Sequence, residues 1–282
     1  MAQKTIMVTG ASGYIGQHVV SRLHDLGAHV IALDLVPEGS ALADEWISAN
    51  ALSPDFSFDS IMNSVPDVLL HLAWRNGFNH NAETHMDDLS AHYQFLKKAV
   101  DFGIPMLSVM GSMHEVGYWE GVIDEDTPCN PQSLYGISKD ALRRAMFVMQ
   151  ERVGFKLQWL RGYYIFGDDA SSQSIFGKLL RAAEAGQRTF PFTMGKNKYD
   201  FTPVTELADM ISHCVLQDEV TGIINCCSGN AVSLAEQVES YIKDNNLNIT
   251  LEYGAFPDRL YDSPGVWGNP AKIRQIMGRR AD

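Results

Sequence analysis

The chain has 282 residues, a length that fits one large α/β domain or two domains that share a core. It is 45% hydrophobic and 20% charged, which is ordinary for a globular protein, and its formal net charge is −12. This charge argues against a nucleic-acid surface and against binding to anionic membranes, although helix N-termini can still bind a phosphorylated ligand.

Neither a metal site nor a membrane segment is expected. The four cysteines, at positions 129, 214, 226 and 227, show no spacing typical of a zinc site. No apolar run approaches the ~18 residues of a membrane span, and no charged-then-apolar signal segment precedes the first strand. These features predict a cytoplasmic protein.

The first predicted strand, 5–9, runs into a glycine-rich turn and then a helix that extends to Leu26. Gly10, Gly13 and Gly16 have the spacing G-x-x-G-x-x-G rather than the more familiar G-x-G-x-x-G. Such glycines permit a tight turn and a close approach of backbone to a pyrophosphate, which then lies at the helix N-terminus. The strand, turn and helix together predict a dinucleotide site.

The second predicted strand, 29–33, is followed by Asp34, 18 positions after Gly16. An acid about 20 residues beyond the glycine turn binds the adenosine ribose hydroxyls in dinucleotide sites. Its charge repels a 2′-phosphate, so NAD is favoured over NADP. The alternative is that Asp34 simply begins a loop.

Residues 37–55 predict a short helix and a loop, and 56–59 a brief third strand. Asp59 and Ser60 then contact an adenine edge or, equally well, cap a helix. An apolar strand at 68–72 carries Leu72 near its end and is followed by Ala73, Trp74 and Arg75, where ligands bind in parallel sheets. A long helix is predicted at 83–102.

The next predicted strand, 106–110, ends at Gly111 and Ser112, where a serine is either a hydroxyl facing the substrate or a turn residue. Tyr135 and Lys139 follow, four residues apart in an apolar-periodic run, so they share a helix face. An ammonium beside a phenol favours the phenolate, and we expect it to lower the Tyr135 pKa and make proton transfer possible. The alternative is an ordinary amphipathic helix.

Several segments together resemble a known family, the extended short-chain dehydrogenase/reductases of the NAD-dependent epimerase/dehydratase group, which act on nucleotide sugars. The matching segments are 9–16, Asp34, 71–73, Gly111-Ser112, 123–128, 130–139, Leu160-Arg161, Phe166-Gly167, 199–204 and 269–272. They run in the family's order along nearly the whole chain. The resemblance implies a Rossmann-type doubly wound parallel sheet with a small C-terminal α/β substrate-binding region.

The resemblance also assigns roles. Tyr135 is the general acid/base, Lys139 binds the nicotinamide ribose, and Ser112 hydrogen-bonds the reacting sugar oxygen. NAD is held by these residues together with Gly10, Ser12, Gly13, Tyr14, Ile15, Gly16, Asp34, Asp59, Ser60, Leu72, Ala73 and Trp74. The nucleotide sugar is expected to contact Arg75, Met113, His114, Tyr164, Lys198 and Arg259.

Departures from the family pattern narrow the chemistry. Dehydratases of this family carry an Asp and a Glu where this chain has Met113 and His114, so loss of water is disfavoured. The cysteine of the GDP-fucose synthases is also missing, which makes epimerisation at C3 and C5 doubtful. His114 is either a proton donor or a residue that lines the pocket. Met113, Trp74 and Trp119 predict an apolar wall that suits a 6-deoxy sugar.

The second half predicts a substrate-binding region, 164–282, behind an NAD-binding domain, 1–163, with some elements returning to the first domain. Tyr164 stands where relatives have Asn, and Tyr199 where most have a phosphate-binding Arg, so Lys198 and Arg259 are the candidate replacements. In the family, helices equivalent to 83–102 and 134–153 pair between subunits. This implies a homodimer, for which the available apolar positions are Leu142, Ala145, Met146 and Met149.

Three functions remain open. The first is a 4-keto(-6-deoxy)sugar reductase that transfers a hydride while Tyr135 protonates the oxygen, and a modest pocket favours it. The second is a nucleotide-sugar 4-epimerase with retained NAD, which the NAD preference implied by Asp34 favours; a 4-dehydrogenase uses the same residues. The third is a non-catalytic dinucleotide sensor, which the presence of both Tyr135 and Lys139 disfavours.

Overall fold

The computed structural model describes residues 3–36, 39, 42–167, 174–257 and 263–278. The strands are β1 (Thr5–Thr9), β2 (His29–Asp34), β3 (Glu45–Ser48), β4 (Val68–His71), β5 (Met106–Ser112), β6 (Gly121–Ile123), β7 (Lys156–Gly162), β8 (Tyr164–Phe166), β9 (Thr189–Pro191), β10 (Lys198–Pro203), β11 (Gly222–Cys226), β12 (Ala231–Ser233), β13 (Thr250–Glu252) and β14 (Gly265–Gly268). The helices are α1 (Gly16–Asp25), α2 (Thr84–Asp87), α3 (Leu89–Asp101), α4 (Leu134–Val153), α5 (Ile175–Glu184), α6 (Val204–Leu216), α7 (Leu234–Asp244) and α8 (Ala271–Ile276).

The main sheet has seven strands in the order β11-β7-β5-β4-β1-β2-β3, and all of its pairings are parallel. Strands β4 and β5 are buried along their whole length, which explains their nearly continuous apolar sequence. The strand order reverses at β1, so a crevice opens beyond the carboxyl ends of β1 and β4. The predicted Rossmann-type fold is confirmed.

Helices cover both faces of this sheet. Helices α1, α6 and α8 pack on one face around a core that includes Val20, Leu207 and Ile273. Helices α3 and α4 pack on the other face with Phe95 and Met146. The predicted helix at 134–153 has those bounds, and Ser133 caps it by accepting a hydrogen bond from the Gly136 amide at 3.2 Å. The helix predicted at 83–102 is two helices that meet at Asp88.

The third strand of the main sheet is Glu45–Ser48, and the prediction of a strand at 56–59 was wrong. Residues Phe58–Ser60 form a single 3-10 turn instead. Phe56 and Phe58 are buried, and their ring centroids lie 5.3 and 5.5 Å from that of Phe95. The alternating aromatic residues therefore build a cluster under α3 rather than one face of a strand.

A second sheet forms the opposite side of the molecule. It contains β12, β10, β14 and β6, with β8 paired to β10. Strand β6 comes from the first half of the chain, while β11, α6 and α8 come from the second half and pack on the main sheet. Elements from each side of the boundary expected at residue 163 thus pack with elements from the other side. Among the helices that the structure describes, none combines the length and apolar character needed to span a bilayer.

Candidate active site

The turn after β1 requires glycine at two positions. Gly10 has a φ of +67°, and a Cβ there would lie 2.8 Å from the backbone of Ala73. A Cβ on Gly16 would lie 2.0 Å from the carbonyl oxygen of Gly10. The start of α1 is therefore pressed against the ends of β1 and β4. Its first turn holds no acidic residue, and Gly13, Tyr14, Ile15 and Gly16 bring this helix start to the cavity, where the helix dipole favours an anion.

Asp34 ends β2 beside this turn. Its Oδ2 accepts hydrogen bonds from the amide and the hydroxyl of Ser12, each at 2.8 Å, and its Oδ1 accepts one from the Leu35 amide at 2.7 Å. These bonds fix the carboxylate at the mouth of the crevice. Asn50, which follows β3, lines the same end of the cavity.

Together these groups fit a dinucleotide. Gly10, Gly13 and Gly16 line the cavity without side chains that would occupy it, and the N-terminal end of α1, where a negative charge is favoured, lies at the same place. Asp34 lies 18 positions after Gly16, and an acid at about this spacing from the glycine turn is typical of a ribose contact. Lys139 and Tyr135 line the far end of the same cavity, which has a volume of about 1310 Å³.

Ser112 is the last residue of β5 and is held by its own backbone. Its amide donates to Oε1 of Glu115 at 2.6 Å, and its hydroxyl accepts from the His114 amide at 3.3 Å. Glu115 is completely buried, and its carboxylate also accepts from Trp159 Nε1 at 2.8 Å and from Arg161 Nη2 at 3.4 Å. This buried carboxylate fixes the serine at the cavity wall.

Tyr135 lies in the first turn of α4 with its side chain hydrogen-bonded to Ser112. Burial raises the pKa of Tyr135 to about 12, and the bond with Ser112 acts in the opposite direction. The expected lowering of the Tyr135 pKa by Lys139 is therefore wrong for this structure. Burial of the phenol prevails, and the ammonium nitrogen lies 5.9 Å from the tyrosine ring centroid.

Lys139 is buried one helical turn after Tyr135. Its Nζ donates to the carbonyl oxygen of Met110 at 2.7 Å and lies 3.7 Å from the ring centroid of Trp74. Burial lowers the pKa of Lys139 to about 7, while Glu115 acts to raise it. The lysine is thus poised between its charged and neutral forms near neutral pH.

Most of the predicted site residues meet in this one cavity. It is lined by Gly10, Ser12, Gly13, Tyr14, Ile15, Gly16, Asp34, Leu72, Ala73, Trp74, Arg75, Ser112, His114, Tyr135, Lys139 and Tyr164. Arg75 forms a bidentate pair with Asp88, with one bond at 2.8 Å, so its charge is already paired. The functions proposed for the individual side chains remain predictions.

Four predicted residues do not line the cavity. Asp59 and Ser60 are exposed on the 3-10 turn that replaces the predicted strand. Met113 is buried in the core cluster that also contains Phe176, and Trp119 packs against the same cluster. Lys198 is exposed because side chains alternate along β10 and its neighbour Tyr199 points into the cavity. Arg259 lies outside the described residues.

The cavity side opposite the glycine turn is aromatic. We call it the aromatic wall; its members are Tyr163, Tyr164, Phe176, Tyr199 and Phe201. The rings of Tyr164 and Tyr199 stack with centroids 4.2 Å apart and planes inclined by 30°. The residues lining the other side, from the ends of β1, β2, β4 and β5 and from α4, form what we call the cofactor wall.

Sequence reasoning missed a group of histidines around Tyr135. Its ring centroid lies 5.4 Å from that of His80, 5.2 Å from His85 and 6.0 Å from His114. Burial lowers the pKa of His114 to about 3 and also lowers that of His80, so both imidazoles are neutral at physiological pH. A neutral His114 cannot donate a second proton, although it can still hydrogen-bond a sugar hydroxyl.

The parallel sheet, the glycine turn and the buried hydroxyl, phenol and amine define a dinucleotide-binding enzyme site of the oxidoreductase kind. Residues 6–227 match the NAD dependent epimerase/dehydratase family, and the chain belongs to that family. Membership confirms the predicted class of nucleotide-sugar modifying enzyme and NAD as the cofactor.

Individual proteins show the same relationship. The chain is 44% identical over 269 residues to a dTDP-6-deoxy-L-talose 4-dehydrogenase (NAD(+)) from Aggregatibacter actinomycetemcomitans, covering 93% of this chain and 98% of that protein. The fold matches MoeE5 in complex with UDP-glucuronic acid and NAD, with a TM-score of 0.81, 24% identity and coverage of 99% and 94%. It also matches a UDP-glucose-4-epimerase from Stenotrophomonas maltophila with bound NAD and formylated UDP-arabinopyranose, with a TM-score of 0.84, 17% identity and coverage of 99% and 94%.

Proposed function

We propose that the protein is a nucleotide-6-deoxyhexose 4-dehydrogenase, which converts the 4-hydroxyl of its sugar to a 4-keto group with NAD⁺. The supporting observation is that Ser112, Tyr135 and Lys139 converge in one cavity of a chain 44% identical to a dTDP-6-deoxy-L-talose 4-dehydrogenase (NAD(+)). The 4-ketoreductase expected from the sequence is the same step in reverse, so direction follows pH and the ratio of NADH to NAD⁺.

NAD⁺, when bound, would supply the hydride acceptor for this oxidation. Ser112 donates a hydrogen bond to the 4-oxygen, and Tyr135 in its phenolate form takes the hydroxyl proton as the C4–H bond breaks. The O–H electrons form the carbonyl bond, so one hydride and one proton leave the sugar. Because burial raises the Tyr135 pKa to about 12, oxidation by this free-enzyme form is expected to accelerate with rising pH.

The cavity lining disfavours dehydration. Among its described residues the carboxylates are Asp34, bonded to Ser12, and Asp88, paired with Arg75. Neither lies beside Ser112, and the residues there, Met113 and His114, carry no carboxylate. Glu115, which accepts from the Ser112 amide, is fully buried and is not part of the cavity lining. With no acid and base pair facing the cavity beside the serine, elimination of water has no residues to move its second proton.

Aromatic lining supports a 6-deoxy sugar. Trp74 borders the nicotinamide end of the cavity, and Tyr164 and Phe176 lie on the aromatic wall. A methyl group at C6 gains from contact with such surfaces, whereas a hydroxyl there would lose water without a charged partner.

The test is a cofactor balance. The purified protein is incubated with dTDP-6-deoxy-L-talose and with UDP-glucose as control, in NAD⁺ or NADP⁺, and NADH and the sugar products are measured together. One NADH per 4-keto sugar is the expected result with NAD⁺. Interconversion of two sugars without NADH would establish the epimerase instead, and NAD binding without any turnover would favour the sensor.

We also propose that the protein is a homodimer. Of the apolar positions expected at the interface, Leu142, Met146 and Met149 are buried in this chain's own core. The α4 surface still presents Ile137 and Val148, with 40% and 56% of their areas exposed, which supports pairing through this helix. Light scattering on Val148→Glu should show a monomer, while the unchanged protein should have the mass of two chains.

A further inference from the structure

Lys139 occupies a buried site in which its charge has little support. Among the residues that the structure describes, its Nζ has one hydrogen-bond acceptor, the Met110 carbonyl oxygen at 2.7 Å. The titratable groups that face it are Glu115, which favours its charged form, Tyr135, and the imidazoles of His71 and His92. An ammonium group can donate three hydrogen bonds, so most of its capacity is unused.

The face of Trp74 supplies the missing support. Its ring centroid lies 3.7 Å from Nζ of Lys139, well within the ~6 Å at which a cation is attracted to an aromatic face. Lys139 is buried and Trp74 is half-buried, and this partial exclusion of water strengthens the attraction. Trp74 follows β4 directly, so its backbone is fixed by the sheet.

Two histidines fix the indole in this orientation. Trp74 Nε1 donates to Nδ1 of His85 at 3.0 Å; since an indole nitrogen only donates, His85 carries its hydrogen on Nε2, which donates to the Asn79 carbonyl at 2.9 Å. The other face of the indole stacks on His92, with centroids 4.2 Å apart and planes inclined by 10°. His92 is in turn hydrogen-bonded to His71 at 2.9 Å.

His92 is uncharged where it stacks on the indole of Trp74. Burial and the charge of Lys139 lower the pKa of His92 to about 3, so no second cation lies beneath the indole. His71 bonds to Thr9 Oγ1 at 2.8 Å at the inner end of the chain. A continuous chain of contacts thus runs from β1 to α4 through Thr9, His71, His92, Trp74 and Lys139, and all of these residues except the half-buried Trp74 are buried.

We propose that Trp74 is a positioning residue that holds Lys139 in its charged form, and that His85 and His92 lock the indole for this purpose. The catalytic use of Lys139 rests on the proposed function, but the contact between indole and ammonium does not. The proposal therefore has a test that needs neither substrate nor cofactor.

The test is an NMR titration of the lysine side chains in the full-length protein labelled with ¹³C at Cε, with Lys139→Met assigning the signal. Replacing Trp74 by Leu keeps an apolar neighbour and removes the aromatic face. We expect Trp74→Leu to lower the Lys139 pKa by about one unit, and Trp74→Phe, with a weaker face, by less. Trp119→Leu, a matched change away from the cavity, should leave it unchanged.

An unchanged or raised Lys139 pKa in Trp74→Leu would overturn the proposal. Thermal unfolding followed by circular dichroism shows whether each variant is folded; if Trp74→Leu is not, Trp74→Phe decides by the same criterion. His85→Leu should also lower the Lys139 pKa, and His85→Gln, which keeps a hydrogen-bond acceptor, should restore it. Equal values in these two variants would remove His85 from the arrangement.

Steady-state kinetics test separately whether the charge of Lys139 matters for catalysis. With saturating dTDP-6-deoxy-L-talose and NAD⁺, kcat of Trp74→Leu should fall about tenfold, because the lysine is less often charged. Lack of turnover by the unchanged protein would refute the proposed reaction and leave the NMR result intact. An unaltered kcat together with a shifted pKa would refute only the link to catalysis.

Discussion

The two walls of the cavity differ in the kind of chemistry they offer. The cofactor wall carries charge, with Asp34 and Lys139 at its two ends and the Arg75–Asp88 pair between them. The described residues of the aromatic wall carry none, and it is built from stacked rings such as Tyr164 and Tyr199. Under the proposed function, proton transfer and dinucleotide binding belong to the cofactor wall, which is built from strand ends and α4, and the nucleotide sugar lies against the aromatic wall.

The largest expected effect is at the cofactor wall. Tyr135→Phe removes the hydroxyl that moves the proton and should reduce kcat by about 10³-fold, since general acid–base catalysis contributes this much. Affinity for NADH, measured by fluorescence titration, should stay within about twofold of the original. A variant that retained a tenth of its kcat would show that proton transfer uses another group.

Asp34→Ala should come next. Losing the carboxylate removes its hydrogen bonds to the ribose and the repulsion of a 2′-phosphate, so KM for NAD⁺ should rise about tenfold and discrimination against NADP⁺ should weaken. Steady-state kinetics with both cofactors measure this. Asp34→Glu serves as the control for charge, and an unaltered NAD⁺/NADP⁺ ratio in Asp34→Ala would contradict the assignment.

Lys139 also predicts a pH-dependent stability. Its folded pKa is about 7, below the ordinary value of 10.5, so between these values the unfolded chain binds more protons and the free energy of unfolding rises with pH. From pH 7 to 8.5 the gain should be about 1–2 kcal/mol relative to Lys139→Met. Urea unfolding of both proteins at the two pH values measures this gain, and taking the difference between the proteins cancels the effect of other titrating groups. The same change in the free energy of unfolding with pH in both proteins would contradict the prediction.

A smaller effect is expected at the aromatic wall. Tyr164→Leu loses the stacked contact with Tyr199, worth about 1 kcal/mol, so KM for the nucleotide sugar should rise about fivefold. KM for NAD⁺ should not move, because Tyr164 belongs to the opposite wall. If both KM values rose together, the two walls would not bind the sugar and the cofactor separately, and this assignment would be wrong.

The smallest expected effect on KM is at the end of the cavity near Asp34, where we propose that the adenosine of NAD binds. Asn50 lines the cavity after β3, whereas Asp59 is exposed on a neighbouring turn. Asn50→Ala should raise KM for NAD⁺ about threefold through loss of one hydrogen bond, and Asp59→Ala should leave it unchanged. The opposite ranking in a cofactor titration would restore the interpretation made from sequence.

Sequence reasoning succeeded where local pattern and chain order determine position. The glycine turn, Asp34 and the Tyr135–Lys139 helix are set by short-range geometry, and the structure places all of them in one cavity. It failed at β3, because an edge strand with half-exposed residues carries little apolar pattern, whereas the nearby aromatic residues imitate alternation.

Other features depend on contacts between distant residues. His80 and His85 come from one segment and His114 from another, and no spacing in the sequence indicates that all three converge on Tyr135. The Tyr135 pKa is likewise decided by how deeply the phenol is buried, which the four-residue spacing does not reveal. The local sequence pattern therefore does not show which residues are buried by contacts with distant parts of the chain.

The exchange of elements between the two halves has a practical consequence for dividing this protein. A fragment ending at residue 163 would lack β11, which leaves one edge of β7 unpaired from Gln158 to Gly162 while β5 still pairs with the other edge. It would also lack α6, which leaves Val20 and its neighbours on α1 uncovered. An open strand edge beside an exposed apolar face favours aggregation. The cofactor-binding half should therefore be recovered in inclusion bodies when expressed alone, and in solution when 164–282 is supplied in the same cell.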